Sequence, residues 1–324
     1  MKILRMIPVL MICFFIITGV SAQTQEAELL TQLELTQPVS RMVWNESGDV
    51  LMLASKDAVE YVAVSSPESP DTFELNGKNY TFTSLSETGV AAALSPDWMT
   101  INIYEPGNGE KAVQTIEPGF QMLSVSVSKD GTQVLADSAD QIRTVVYDAK
   151  DASVVYDLTG FHTAAPVYDS TLSADGSMVV WHSRGTFAVQ NAADGSLGET
   201  ISLWDFASAY ELSPDNKTLA VAIINDDYEN GCVIFFDPEF GKELGRTVLG
   251  ETSPFELSYS DDSSVLWAAD AGMVYRIDPQ SFKLLGETKT AENEDERNSR
   301  LASAPDGASA AVLTKDGKIL IVRN

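Results

Sequence analysis

The chain has 324 residues, 47 Asp and Glu against 21 Lys and Arg, and a net charge of −26. This acidic balance excludes nucleic acid and anionic membrane as obvious partners, because both are bound through basic patches. A soluble, acidic surface accounts for the charge, and a cationic partner or a divalent cation is the alternative.

The first 22 residues have the pattern of a signal peptide. Lys2 and Arg5 precede an apolar run over residues 6–20, and small residues follow at 20–22. This order of a basic region, an apolar region and a small-residue cleavage site predicts export to the periplasm or the exterior. We therefore expect residues 1–22 to be removed and the remainder to be soluble. An uncleaved N-terminal anchor is the alternative.

A turn phrase recurs seven times along the rest of the chain. Its clearest copy is Ser-Ala-Asp-Gly at 173–176, where glycine supplies a positive φ and the Ser and Asp side chains hydrogen-bond the backbone. The residues equivalent to Gly176 are Gly48, Gly89, Gly131, Asn216, Ser263 and Gly307. Successive copies are 41, 42, 45, 40, 47 and 44 residues apart, which is the period of a four-stranded propeller blade. Asn216 tolerates positive φ, but Ser263 does not, so the sixth copy is the weakest match.

Each turn is followed by an apolar run that suits a strand buried on both faces, such as 50–53 or 218–222. A short turn containing Asp and a third strand come next, as at 59–64 and 274–277. We therefore predict an all-β fold, a seven-bladed β-propeller of four-stranded antiparallel blades, forming one domain over residues 23–324. A β-sandwich also has many short strands, but it does not predict seven near-equal spacings.

The two ends of the chain complete one blade in this scheme. The last strand, at 318–322, is the third of blade seven, and residues 29–35 alternate like a strand ahead of blade one. Placed as the outer strand of blade seven, residues 29–35 would close the ring and cover two strand edges.

Several blades resemble those of the WD-repeat family. Residues 158–163 and 172–176 carry its Gly-His and Ser-x-Asp-Gly elements, and Tyr147-Asp148 and Phe236-Asp237 stand at the place of its Trp-Asp. Residues 277–279 are similar to the quinoprotein-like propellers of exported bacterial proteins. The resemblance implies a propeller that is closed by its N-terminal strand. It implies little about function, because propellers host enzymes, receptors and scaffolds.

Motifs that carry chemistry are scarce. The sequence has no nucleophile elbow, zinc-protease helix, P-loop or Rossmann fingerprint. His162 and His182 are both predicted in loops on one face, but two histidines without a third ligand make a weak metal site. Residues 226–237 match a calcium loop only in part, because Tyr228 stands where an oxygen ligand is needed. Cys232 is predicted as a buried apolar residue rather than a catalytic thiol.

The longest acidic loops are predicted on one face of the propeller, which carries the loops between second and third strands and the connections between blades. Loops on a rigid scaffold are where binding usually resides. Trp204 is added as the aromatic residue best placed for ligand contact. The candidate binding residues are Asp226, Asp227, Glu229, Glu292, Glu294, Asp295, Glu296, Trp204, Asp205 and His162.

The sequence therefore predicts a monomeric, non-enzymatic binding scaffold without a metal or other cofactor. Its partner is expected to be a protein or a small ligand, and a cationic one fits the charge. The alternative is a propeller enzyme, or a quinoprotein-like protein with a cofactor, that uses the central channel.

Overall fold

The predicted all-β propeller is confirmed. The computed structural model describes residues 27–33, 37–75, 80–108, 111–140, 143–158, 169–183, 185–203, 207–224, 230–250, 252–293 and 297–323. These residues form 28 strands and no helix, and the strands make seven four-stranded antiparallel sheets. Within the same residues, no helical segment has the length and apolar character needed to cross a membrane.

Each sheet is one blade, and its first strand is the innermost. Blades one to four consist of β2 Arg41–Trp44, β3 Val50–Ala54, β4 Ala58–Ala63, β5 Asp71–Glu74; β6 Phe82–Leu85, β7 Ala91–Leu94, β8 Ile101–Tyr104, β9 Gln114–Ile116; β10 Met122–Val127, β11 Gln133–Ser138, β12 Thr144–Asp148, β13 Val154–Asp157; and β14 Asp169–Leu172, β15 Met178–Ser183, β16 Thr186–Asn191, β17 Ile201–Ser202. Blades five to seven consist of β18 Ala209–Leu212, β19 Leu219–Ile224, β20 Gly231–Phe236, β21 Glu243–Val248; β22 Glu256–Tyr259, β23 Leu266–Ala269, β24 Met273–Asp278, β25 Lys283–Lys289; and β26 Asn298–Ser303, β27 Ser309–Thr314, β28 Lys318–Arg323 with β1 Glu28–Gln32.

The N-terminal strand closes the ring, as the sequence predicted. The strand order in blade seven is β26, β27, β28 and β1, with Glu28 opposite Ile321. An ion pair between Arg323 and Glu28 links β28 to β1. Because β1 pairs with β28, the backbone groups on that edge of the blade are satisfied. The strand ends at Gln32 rather than residue 35, and residues 34–36 lie outside the described residues.

All seven repeat turns have positive φ, from 59° at Asn216 to 85° at Gly89. Ser263 adopts φ 60°, although a serine was expected to resist this conformation. Its N–H donates to the Ser260 carbonyl at 2.9 Å, and its hydroxyl accepts from the Asp215 N–H at 3.1 Å. These bonds to its own turn and to the neighbouring blade offset the steric cost of the left-handed backbone.

The hydrophobic core is divided among the spaces between blades. The described residues contain seven clusters of buried apolar side chains, and each joins two neighbouring blades. Trp181 and Trp267 lie in these clusters. Cys232 is fully buried between blades four and five, which confirms its prediction as a buried apolar residue.

The two faces of the ring differ in their connections. We call the face with the seven repeat turns the turn face, and the face with the second-to-third strand loops and the blade connections the loop face. Every innermost strand starts at the loop face and ends at the turn face. Equivalent residues of the seven innermost strands therefore form rings around the central axis.

Candidate functional site

Only Glu292 among the predicted binding residues falls in the described part of the chain. It lies on the loop face between β25 and β26, and its carboxylate pairs with the Lys289 ammonium at 2.6 Å. The other predicted residues lie outside the described residues: His162, Trp204, Asp205, Asp226, Asp227, Glu229, Glu294, Asp295 and Glu296. The acidic binding face therefore stays a prediction.

The expectation that His182 lies in a turn was wrong. His182 belongs to β15, and its ring stacks on Phe187 with 4.7 Å between ring centroids. Tyr210 of the next blade lies 5.3 Å from the same ring. The strand extends to Ser183 because Gly185, at φ 75°, allows a tight turn directly into β16. His182 is thus part of the aromatic packing between blades four and five.

Two other acidic residues have structural positions that the sequence did not indicate. Asp237 lies at the turn-face end of β20 and accepts from the backbone N–H groups of Glu239 and Phe240, at 2.9 and 3.0 Å. Gly231 is the first residue of β20, six residue steps before Asp237, which is roughly 20 Å at the usual rise per residue, so the calcium-loop alternative for residues 226–237 is wrong. Asp270, in the short turn between β23 and β24, is only 3% exposed.

One cavity in the described residues is the central channel. Its volume is about 730 Å³, and all seven innermost strands contribute to its wall. The residue two positions before each repeat turn forms a ring halfway along the channel, which we call the middle ring. Its members are Val43, Ser84, Ser126, Thr171, Glu211, Ser258 and Ala302. Glu211 is thus the one charged member of a ring of small side chains.

A lysine spans the channel at the turn face. The Lys129 ammonium, on blade three, lies 2.8 Å from the Glu87 carboxylate of blade two and 2.6 Å from the Asp261 carboxylate of blade six. Blades three and six are as far apart as a seven-membered ring allows, so the bridge crosses the axis. Burial disfavours the ammonium, but the charge and hydrogen bonds of the two carboxylates outweigh it and raise the Lys129 pKa. We call this contact the Lys129 bridge.

At the loop face, the described ion pair joins only adjacent blades. Arg300 of blade seven pairs with Glu256 of blade six at 3.3 Å, and its Nε donates to the Ser40 carbonyl at 3.1 Å. Burial raises the pKa of Glu256, while Arg300 and Arg41 lower it. Arg41 is exposed and occupies the corresponding position in blade one. Among the described residues, this end therefore lacks a counterpart of the Lys129 bridge.

Glu211 and Tyr259 meet where blades five and six join the channel wall. The Tyr259 backbone N–H donates to the Glu211 carboxylate, but Oε2 of Glu211 is buried without a hydrogen-bond partner. The Tyr259 hydroxyl is also buried and unpartnered, and the residue is only 4% exposed. Burial raises the pKa of Glu211 to about 7, although Arg41 and Lys129 lower it in part. Burial, together with the Glu211 charge, also raises the pKa of Tyr259.

Two other members of the middle ring use their side chains in the same way as Glu211 but without leaving an atom unpaired. The Ser84 hydroxyl accepts from the Val127 N–H at 3.1 Å, and the Ser258 hydroxyl accepts from the Ser303 N–H at 2.8 Å. Each bond links one blade to the next along the inner edge. A serine would satisfy this structural task at position 211, so the second carboxylate oxygen is in excess of what the fold requires.

The sequence by itself did not indicate these channel residues. Its candidates were chosen from long acidic loops, whereas Glu87, Lys129 and Asp261 follow the first residue of repeat turns and resemble ordinary turn residues. Aligning the repeats on their turns reveals one signal: the row Val, Ser, Ser, Thr, Glu, Ser, Ala contains a single large charged residue. That row identifies Glu211 as unusual, but it does not reveal the unpartnered oxygen.

The comparisons with known proteins support the fold alone. No protein-family model and no curated protein matches the sequence. In contrast, 1681 chains of solved structures match, so the likeness does not select a function. One of them is a chain of Kuenenia stuttgartiensis hydrazine synthase, with a TM-score of 0.66 and 12% identity over 91% of this chain and 98% of that one. The WD-repeat and quinoprotein-like resemblance therefore stays a prediction, while the seven-bladed propeller is established.

Proposed function

We propose that this protein is an exported binding propeller whose central channel holds a small organic ligand. The observation that carries the proposal is a pair of buried, unpartnered polar atoms that belong to channel-lining residues, Glu211 Oε2 and the Tyr259 hydroxyl. Leaving such a group unsatisfied costs about 1–3 kcal/mol, and more for a charged one. A ligand in the channel would recover this free energy on binding.

The channel also has a suitable size and a preferred entrance. A volume of about 730 Å³ lies within the range of small-molecule sites. The Lys129 bridge crosses the turn-face end, so the ligand enters from the loop face. The acidic loops predicted on that face would concentrate cations near the entrance, in keeping with the net charge of −26.

Mass spectrometry of small molecules released from the protein, purified from its natural host, tests the proposal. Ser126→Trp fills the channel from the middle ring, and Thr72→Trp adds the same side chain at an exposed position of outer strand β5. We expect a stoichiometric ligand in the wild type and in Thr72→Trp, and none in Ser126→Trp. A folded wild type that releases no channel-dependent molecule contradicts the proposal.

A second candidate is catalysis in the same channel. Arg41 and Lys129 line this channel together with carboxylates from several blades, as expected of a propeller active site. The solved neighbour bears the name hydrazine synthase, which makes an enzymatic role worth testing, although 12% identity shows only the fold. An absorption spectrum of the protein from its natural host separates the candidates, because a visible chromophore would favour a cofactor-dependent enzyme.

A further inference from the structure

We propose that Glu211 and Tyr259 form a subsite for a primary ammonium group, so that the ligand of the channel is a small organic amine. This inference rests on the proposed function, because it names the chemistry of a ligand held in the channel. Both polar atoms belong to residues of the channel wall at the interface between blades five and six.

The charges around the channel favour a cation. Two basic side chains line the described channel, Arg41 and Lys129, and Arg300 pairs with Glu256 at its loop-face end. The acidic side chains are four: Glu87, Glu211, Glu256 and Asp261. Lys129 is shared by Glu87 and Asp261, and Arg300 is held by Glu256. Glu211 is the acid whose carboxylate has a buried oxygen without any donor. An anionic ligand would add to this excess negative charge, whereas a cation neutralises it.

An ammonium group also matches the two unpartnered atoms in hydrogen-bonding capacity. It carries three N–H donors and no acceptor. Glu211 Oε2 can accept one, in a charge-assisted bond about twice as strong as a neutral one, and the Tyr259 hydroxyl can accept another. A quaternary ammonium carries the same positive charge but has no N–H donor, so comparing the two ligands separates hydrogen bonding from charge.

The Lys129 bridge shows that this channel accommodates an ammonium between carboxylates. Its Nζ lies 2.8 Å from Glu87 and 2.6 Å from Asp261, three repeat positions nearer the turn face than Glu211. Glu211 as a residue is half-buried, so its stem reaches the channel surface while Oε2 lies beneath. The last torsion of a glutamate is broad, so the carboxylate can turn toward an incoming ammonium at small cost.

Calorimetric titration of n-butylammonium chloride into the full protein tests the subsite. We expect binding to the wild type at pH 8, at least tenfold weaker binding to Glu211→Gln, and a smaller loss in Tyr259→Phe. Affinity should fall from pH 8 to pH 6 in the wild type, because Glu211 must lose its proton to bind a cation. Tetramethylammonium chloride should bind at least tenfold more weakly than n-butylammonium.

Glu60→Gln is the matched control. Glu60 is half-buried in β4, and burial raises its pKa too, but it does not line the channel. Equal affinity of n-butylammonium for wild type, Glu60→Gln and Glu211→Gln would overturn the subsite, as would no measurable binding. If a channel-dependent ligand is nevertheless released from the native protein, the proposed function survives that failure. If none is released, both proposals fail.

Discussion

Asp137 and Glu211 are both buried carboxylates between neighbouring blades, but their hydrogen bonding is opposite. Asp137 is 3% exposed, and both of its oxygens accept from the Ser170 hydroxyl, at 2.6 and 2.7 Å. Oδ1 also accepts from Thr144, and Oδ2 from Ser124 and the Ser170 N–H. Glu211 has one backbone donor, and its Oε2 has none.

The difference separates a carboxylate that holds the fold together from one that the fold tolerates. Asp137 on β11 accepts hydrogen bonds from side chains of three other strands, β10 and β12 in blade three and β14 in blade four. The described apolar cluster between these two blades is the smallest of the seven. Removing Asp137 would leave several buried donors without an acceptor. Glu211 gives the fold one hydrogen bond, which a serine could supply, at the cost of a buried charge. The second carboxylate oxygen of Glu211, which the fold does not use, is therefore the atom that we assign to a ligand.

The largest effect is expected for Asp137→Ala. It should lower the free energy of unfolding by about 4 kcal/mol, because a buried hydrogen-bonded charge is lost and its donors remain unsatisfied. Urea unfolding at neutral pH measures the change, with exposed Asp71→Ala as the control. A loss below about 1 kcal/mol, the worth of one ordinary hydrogen bond, would contradict a structural role for this network.

Glu211→Gln should instead raise the free energy of unfolding, and the size of the increase should depend on pH. Burial raises the pKa of Glu211 from its ordinary value of 4.5 to about 7 in the folded protein, so the folded state binds the proton more tightly. The stability that this proton provides is complete below pH 4.5 and is lost as the pH rises to about 7.

At pH 8, the glutamine variant should therefore exceed the wild type in stability by up to about 3 kcal/mol, at about 1.4 kcal/mol per pKa unit. At pH 5 the difference should shrink toward zero. Paired urea titrations at the two pH values measure it. A variant that is less stable than wild type at pH 8 would mean that the carboxylate is needed by the fold.

Thr144→Val sharpens the comparison from the side of Asp137. Valine keeps the shape of threonine, so the change mainly removes the hydroxyl that donates to Asp137. The free energy of unfolding should fall by about 2 kcal/mol, as for a buried bond to a charged acceptor. Thermal and urea unfolding should agree, and an unchanged melting temperature would show that the remaining donors compensate.

Tyr259→Phe is expected to have the smallest effect. The Tyr259 hydroxyl makes no hydrogen bond and is buried, so its removal leaves no donor or acceptor unpaired. We expect stability to stay within about 1 kcal/mol of wild type, with an increase favoured. Both this variant and Thr144→Val delete one buried hydroxyl. Equal destabilisation by the two would contradict the distinction between the two regions.

The fold could be predicted from the sequence because each blade is specified by residues that are close together in the chain. Turn residues such as Gly176 and Asn216 recur at blade spacing, and the apolar runs between them specify four-stranded units whose number follows from counting. The alternating segment after residue 28 could be assigned to blade seven because that blade lacked an outer strand. Even Ser263 was placed in its turn by the spacing, although its residue type opposed the required φ.

The site could not be predicted in the same way, because it arises from ring closure. Lys129 meets Asp261 across 132 residues, and Glu211 meets Tyr259 across 48, with no motif linking either pair. Composition and spacing gave the number of blades and the order of strands. Only the tertiary structure decided which charged side chains find a partner around the axis. Each blade contributes one residue to a ring such as the middle ring, so neighbours in the ring come from distant parts of the sequence, and their burial depends on the closed propeller.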